Sequence, residues 1–176
     1  MNPTRQALRL NVGFLLNQPV GSSREFSFDL PTVFLEPDLA LNDILGTTHL
    51  TRTAQGILLQ VRMQASLPAE CARCLTPIDH TLKTEFTELY AFNARSVSES
   101  GLILPEEGII DLAPILREYM FLEVPINPLC REDCAGLCPV CGESLTENPH
   151  SHAKDTTDPR LDQLKSLLYK EKELEE

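Results

Sequence analysis

Tryptophan is absent from the 176 residues, and Phe and Tyr together make up only 6% of them. Basic residues are scarce as well, 15 Lys and Arg against 26 Asp and Glu, which leaves a formal net charge of −11. Non-specific nucleic-acid binding needs Lys and Arg to neutralise phosphates, so this balance argues against a generic RNA or DNA coat. No run approaches the roughly 18 to 20 uncharged apolar residues of a membrane helix. The apolar part of the start, MNPTRQALRLNVGFLLNQPVGSS, is interrupted by Asn11 and Asn17 and lacks a small-residue cleavage site, so no signal peptide is expected. A cytoplasmic chain with no membrane partner follows as the expectation. Also missing are a phosphate loop, a dinucleotide glycine fingerprint, a nucleophile elbow and an H-E-x-x-H pair. Neither a small-molecule substrate nor a catalytic step is expected.

What is present begins with a 42% hydrophobic fraction, too high for a wholly disordered chain and enough for a packed core at this length. The expected fold is α+β, a mostly antiparallel sheet with one packed helix, then a Cys-rich zinc-knuckle segment and a C-terminal helix. Short alternating strands are expected at 8–12 and 25–30, the latter with Phe26, Phe28 and Leu30 on one face and ended by Pro31. The clearest strand is Ile57 to Leu67, expected to be central. Alternation resumes with Ile78, Leu82, Phe86 and Tyr90, so the two strands pair most simply as an antiparallel hairpin with Cys71 and Cys74 at its tip. Residues 92–108 look like a loop. A helix over 112–122 follows an Asp111 N-cap, tolerates Pro114 in its first turn, and would bury Leu112, Ile115, Leu116, Tyr119 and Leu122. Asp158 and Pro159 start a last helix over 159–172. Two domains are drawn on this basis, a β-rich one over 1–125 and a Cys/His segment with the last helix over 126–176.

All six cysteines fall in two places, Cys71-x2-Cys74 and Cys130-x3-Cys134-x3-Cys138-x2-Cys141. A C-x2-C pair puts two thiolates on one tight turn, and Cys138-Pro139-Val140-Cys141-Gly142 has the form of a zinc knuckle. His150 and His152 lie just downstream and can also ligate zinc. The eight groups suffice for two closed four-coordinate sites or for one site with spares. Three pairings stay open: Cys130, Cys134, Cys138 and Cys141; or Cys138 and Cys141 with His150 and His152; or Cys71 and Cys74 with Cys138 and Cys141. A structural zinc is the expected cofactor. Arg73 between the first two thiols leaves room for a dithiol redox pair, although no thioredoxin-like βαβ context surrounds it. Disulfides are not expected in a reducing compartment. A catalytic zinc would need an acid or base from Glu143, Asp155 or Asp158, but Asp158 is expected to cap the last helix and Glu143 to be a solvated knuckle residue, so a hydrolytic zinc is not expected. His49 and His80 are expected to be surface or packed residues rather than ligands.

The run GIIDLAPILREYMFLEVPINPLCREDCAGLCPVCGESL, the later DPRLDQLKSLL and the upstream ECARCL together resemble the bacterial YceD family over about residues 56–170. That resemblance implies a cytoplasmic, non-enzymatic factor for the accumulation of large-subunit ribosomal RNA. Where many relatives carry a further C-x-C after the knuckle, this chain has His150-Ser151-His152, an exchange that keeps zinc ligands. The zinc would then hold the C-terminal segment in shape rather than perform the function.

Charge suggests the partner. Residues 91–176 carry 8 basic and 17 acidic side chains, so most of the negative charge lies in the second half. Glu106, Glu107, Glu132, Asp133, Glu143 and Glu147 are candidates to meet a Lys/Arg-rich ribosomal protein or an assembling large subunit, with ribosomal RNA engaged indirectly. The alternative is direct zinc-dependent RNA binding through Arg73, Arg131, Lys154 and Arg160. Residues 130–155 hold no Phe, Tyr or Trp on which bases could stack, which weakens it.

Overall fold

The computed structural model describes residues 6–98 and 100–152. The helix expected over 159–172, with Asp158 and Pro159, lies outside them, as do Lys154, Asp155 and Arg160. The described chain is mostly antiparallel β-sheet with little helix. Four long strands, β2 (Ser23–Leu35), β3 (Leu39–Arg52), β4 (Gly56–Glu70) and β5 (Pro77–Ala91), form one sheet in the order β2-β3-β4-β5. A two-stranded sheet pairs β1 (Arg9–Asn11) with β6 (Ile109–Asp111). The helices are α1 (Gly13–Leu16) and α2 (Ala113–Leu122).

The hairpin of β4 and β5 runs in register from Gly56 opposite Ala91 to Glu70 opposite Pro77, with Cys71 and Cys74 in the turn. One face is the core. Ile57, Leu59, Val61, Met63 and Ala65 alternate inward on β4, as do Leu82, Phe86 and Tyr90 on β5, while Gln60, Arg62 and Gln64 face out. The helix α2 packs on this face: Tyr119 stacks on Phe86 with ring centroids 4.0 Å apart and donates its hydroxyl to Glu88 Oε1 at 2.6 Å. Arg117 ties the helix to the β2–β3 turn through Asp38 at 2.7 Å.

Several expectations need correction. Pro31 does not end its strand, because β2 continues to Leu35. As an edge strand it tolerates a proline, and Pro31 lies in an interrupted stretch of the β2–β3 register. The strand β3 was not foreseen. Its register shifts between Asn42 and Leu45, where Asp43 takes φ 50, so the buried set moves from Leu39 and Leu41 to Ile44, Thr48 and Leu50 and the two-residue period breaks. Asp111 ends β6 instead of serving as N-cap; Leu112 is the cap, although Asp111 Oδ1 still accepts the Ala113 N–H at 3.0 Å. Finally, Leu122 is 77% exposed and Met120 is buried in its place, because Leu112, Leu116 and Met120 share the four-residue ridge that meets the sheet.

The loop after β5 returns to the sheet, with Ile103 bridging to Ala91. No helix among the described residues is long and apolar enough to cross a membrane. By its contacts the chain divides into two compact units between Cys134 and Ala135, further along than the division drawn after residue 125.

Candidate metal centres

The eight Cys and His groups fall into two tetrads, one in each unit. Cys71, Cys74, Cys130 and Cys134 bring their sulfurs within 4.8 Å of one another, and so do the donor atoms of Cys138, Cys141, His150 and His152. The pairing of Cys138 and Cys141 with both histidines is one of the three left open above. The other two do not occur, because the structure joins Cys130 and Cys134 to the hairpin thiols. His49 and His80 belong to neither tetrad.

In the first tetrad, two ligands come from the β4–β5 turn and two from the segment after α2. The segment is fastened there by the Ala72 N–H to the Pro128 carbonyl and by Arg73 Nη1 to the Cys134 carbonyl, both at 2.8 Å. Cys71 Sγ lies 3.9 Å from Cys134 Sγ, and Cys74 Sγ lies 3.6 Å from Cys130 Sγ. Zinc–sulfur bonds of about 2.3 Å at tetrahedral angles set sulfurs about 3.8 Å apart, so these spacings suit a shared ion. All six cysteines are free thiols. Backbone N–H groups of Cys130 and Cys74 aim at Cys71 and lower it to about 6, whereas the neighbouring Cys74 sulfur pushes Cys130 up to about 12. Four crowded thiolates repel one another, and a divalent cation relieves that repulsion.

The two C-x2-C turns are the same knuckle. In one, the Cys138 N–H donates to the Glu143 carbonyl and the Gly142 N–H to the Cys138 carbonyl, both at 2.8 Å. In the other, the Cys71 N–H donates to Thr76 and the Leu75 N–H to Cys71, both at 2.9 Å. The residue after the second Cys is left-handed in each case, Gly142 at φ 77 and Leu75 at φ 59. Backbone N–H groups of Cys141 and Val140 lower Cys138 to about 6, the counterpart of the effect on Cys71. The first knuckle was harder to see in the sequence because Leu75 stands where glycine is the conformationally cheap choice. Leu75 is 59% exposed, so little packing is lost on shortening it. We expect Leu75→Gly to leave stability within about 1 kcal/mol of the parent, measured by denaturant unfolding, because relief at φ > 0 offsets the added chain entropy. The mirror change Gly142→Leu should destabilise its knuckle.

The second tetrad has a tuned imidazole. His150 Nδ1 donates to the Asn148 carbonyl at 2.7 Å, which fixes the tautomer with Nε2 free, and that carbonyl chiefly raises the His150 pKa. Nε2 sits 3.0 Å from Cys141 Sγ, a hydrogen-bonding distance that must open slightly to admit an ion. The His152 ring stands edge-on to that of His150, centroids 5.0 Å apart. The donor sets of both tetrads are compatible with zinc.

The two described residues among those proposed for direct RNA contact are otherwise engaged. Arg73 serves the Cys134 carbonyl, and Arg131 pairs with Asp133 at 3.5 Å. By contrast Glu106, Glu107, Glu132, Asp133, Glu143 and Glu147 are all exposed.

A family model described as large ribosomal RNA subunit accumulation protein YceD matches residues 59–168. An uncharacterized protein of Mycobacterium bovis is 35% identical over 121 residues, which cover 65% of this chain and 57% of the relative. Another, from Mycobacterium leprae, is 32% identical over 119 residues, covering 65% and 54%. The uncharacterized protein YlbN of Bacillus subtilis is 28% identical over 105 residues, covering 58% and 61%. The chain thus spans little more than half the length of the mycobacterial relatives. No solved structure matches.

Proposed function

The chain belongs to the YceD family, and from that membership we propose that it supports accumulation of large-subunit (23S-type) ribosomal RNA as a non-catalytic cytoplasmic factor. It does so by binding a ribosomal protein or an assembling large-subunit particle. The observation that carries this reading is the family match, which runs from Leu59 in β4 across β5, α2 and all eight residues of the two tetrads. Zinc is the structural cofactor in this reading. Each ion closes a turn and leaves no open position for a substrate, since four protein ligands already complete a tetrahedron.

The net charge of −11 and the exposed carboxylates support a basic protein partner over direct contact with phosphates. Glu106 and Glu107 lie in the loop before β6, and Glu132 and Asp133 lie between two ligands of the first tetrad. Holding that segment in place would hold those carboxylates in place. Changing Glu106, Glu107 and Glu132 to Lys should lower capture of purified large-subunit ribosomal proteins by about tenfold in a pull-down at low salt. Capture by the parent chain should fall as salt rises. Undiminished capture by the charge-reversed chain would contradict a partner held by this acidic surface.

A further inference from the structure

Built from residues of neither tetrad, α2 and β5 enclose a groove of about 490 Å³. Leu102, Ile115 and Leu122 give it an apolar side, and Glu88, Asp111 and Glu118 line it with carboxylates. No basic residue among the described residues lines it. Glu88 accepts the Tyr119 hydroxyl and Asp111 accepts the Ala113 N–H, whereas Glu118 makes no hydrogen bond or ion pair among the described residues. Leu122, the residue expected in the core, instead stands 77% exposed at this groove. Single exposed apolar residues are ordinary, but one set beside an apolar floor and a free carboxylate offers a contact for an amphipathic side chain.

Tyr90 also lines the groove, and its hydroxyl, which makes no hydrogen bond among the described residues, is not sealed from solvent there. Burial first, and then the fields of Glu88, Asp111 and Glu118, push Tyr90 up to about 12, so its hydroxyl stays protonated.

We propose that this groove takes a lysine or arginine side chain from a basic protein segment. The alkyl stem lies on Ile115 and Leu122, and the cation faces Glu118 and Glu88, with the Tyr90 oxygen as a further acceptor. A long cationic side chain suits such a site because its stem is apolar and its head charged. A carboxylate or phosphate group would instead meet like charges. The identity of the partner rests on the reading above that it is a basic ribosomal protein; the chemistry of the groove does not.

The test is fluorescence anisotropy of a short labelled peptide alternating Lys with Leu, against the full chain, with a Glu/Leu peptide as control. Glu118→Lys should weaken binding of the Lys peptide by about tenfold. Tyr90→Phe, which removes only the hydroxyl, should weaken it by about threefold at an unchanged thermal midpoint. Glu88→Gln keeps an acceptor for Tyr119 and should weaken binding without unfolding the helix. Equal affinity of the parent and Glu118→Lys chains for the Lys peptide would overturn the proposal, as would equal binding of the Glu peptide. Self-association of the parent chain that Glu118→Lys abolishes, seen by sedimentation, would assign the groove to a second copy and also overturn it. If the groove variants lose the peptide but the parent chain captures no ribosomal protein, the groove stands and the partner reading fails. If ribosomal-protein capture persists while the groove variants bind peptide normally, the reverse holds.

Discussion

Protein purified from zinc-replete cells should carry two zinc ions per chain, and chelation should unfold the segment from Ala135 to His152 while leaving the four-stranded sheet folded. The difference lies in what each unit buries. The first has a core of more than twenty apolar side chains from β1 to α2. In the second, the only buried positions among the described residues are Gly136 and Cys138, with no buried Leu, Ile, Val or Phe. A segment with so little core folds on the free energy of its metal, for which structural zinc in finger peptides supplies on the order of 10 to 16 kcal/mol. Metal analysis should therefore show one ion lost in Cys138→Ser and the other lost in Cys134→Ser. Hydrogen exchange should show rapid exchange of the Cys138, Gly142 and Leu145 amides in Cys138→Ser, with β4 and β5 protected as in the parent. In Cys134→Ser the Ala72 amide should lose protection, since its acceptor Pro128 is held by the first tetrad. A metal-free preparation with fully protected knuckle amides would contradict this account.

A large loss of stability in the sheet should come from a residue with no side chain. Gly46 sits on β3 opposite Met63, and a Cβ there would stand 2.2 Å from the Arg62 carbonyl oxygen and 2.7 Å from Met63 Cα. These are backbone atoms of the neighbouring strand and cannot swing aside as a flexible side chain would. Gly46→Val must therefore part β3 from β4 near the centre of the sheet, where both strands are paired on each side. We expect a destabilisation of about 3 kcal/mol or more, which for a chain of this size lowers the thermal midpoint by about 6 to 12 °C. Calorimetry of the parent and the Gly46→Val chain would measure it, and a midpoint within a degree of the parent would refute the close approach.

Much of this fold could be read from its residues where a single period ran unbroken. The alternation from Ile57 to Leu67 gave the hairpin and its cysteine tip, because every second side chain meets the core without interruption. In β3 the same signal was split. The bulge at Asn42 to Leu45 moves the inward set by one residue, and Gly46 and Thr48 are weakly apolar, so neither half is long enough to register as a strand. At α2, Asp111 had the chemistry of a cap but belongs to β6, and its carboxylate reaches the helix from one residue further back. Leu122 fitted the apolar stripe, yet the helix ends there and leaves it exposed.

The metal centres were half legible for a similar reason. Ligand types and the C-x2-C turns are local features, and so is the nearness of His150 and His152 to Cys138 and Cys141. The joining of Cys71 and Cys74 with Cys130 and Cys134 spans all of β5, the following loop, β6 and α2, and only the folded sheet brings those segments together. The groove beside Tyr90 was not legible at all. Its members come from β5, the loop after it, β6 and α2, and nothing in their spacing marks them as neighbours.

The most direct measurement is the ratio of large- to small-subunit ribosomal RNA, with the gradient profile of ribosomal particles, in cells lacking this chain. Cells expressing the chain with both Cys138→Ser and Cys141→Ser serve as the comparison. The account predicts a selective fall in large-subunit RNA and particles in the deletion, restored by the parent chain. A normal ratio and a normal profile in the deletion would contradict it.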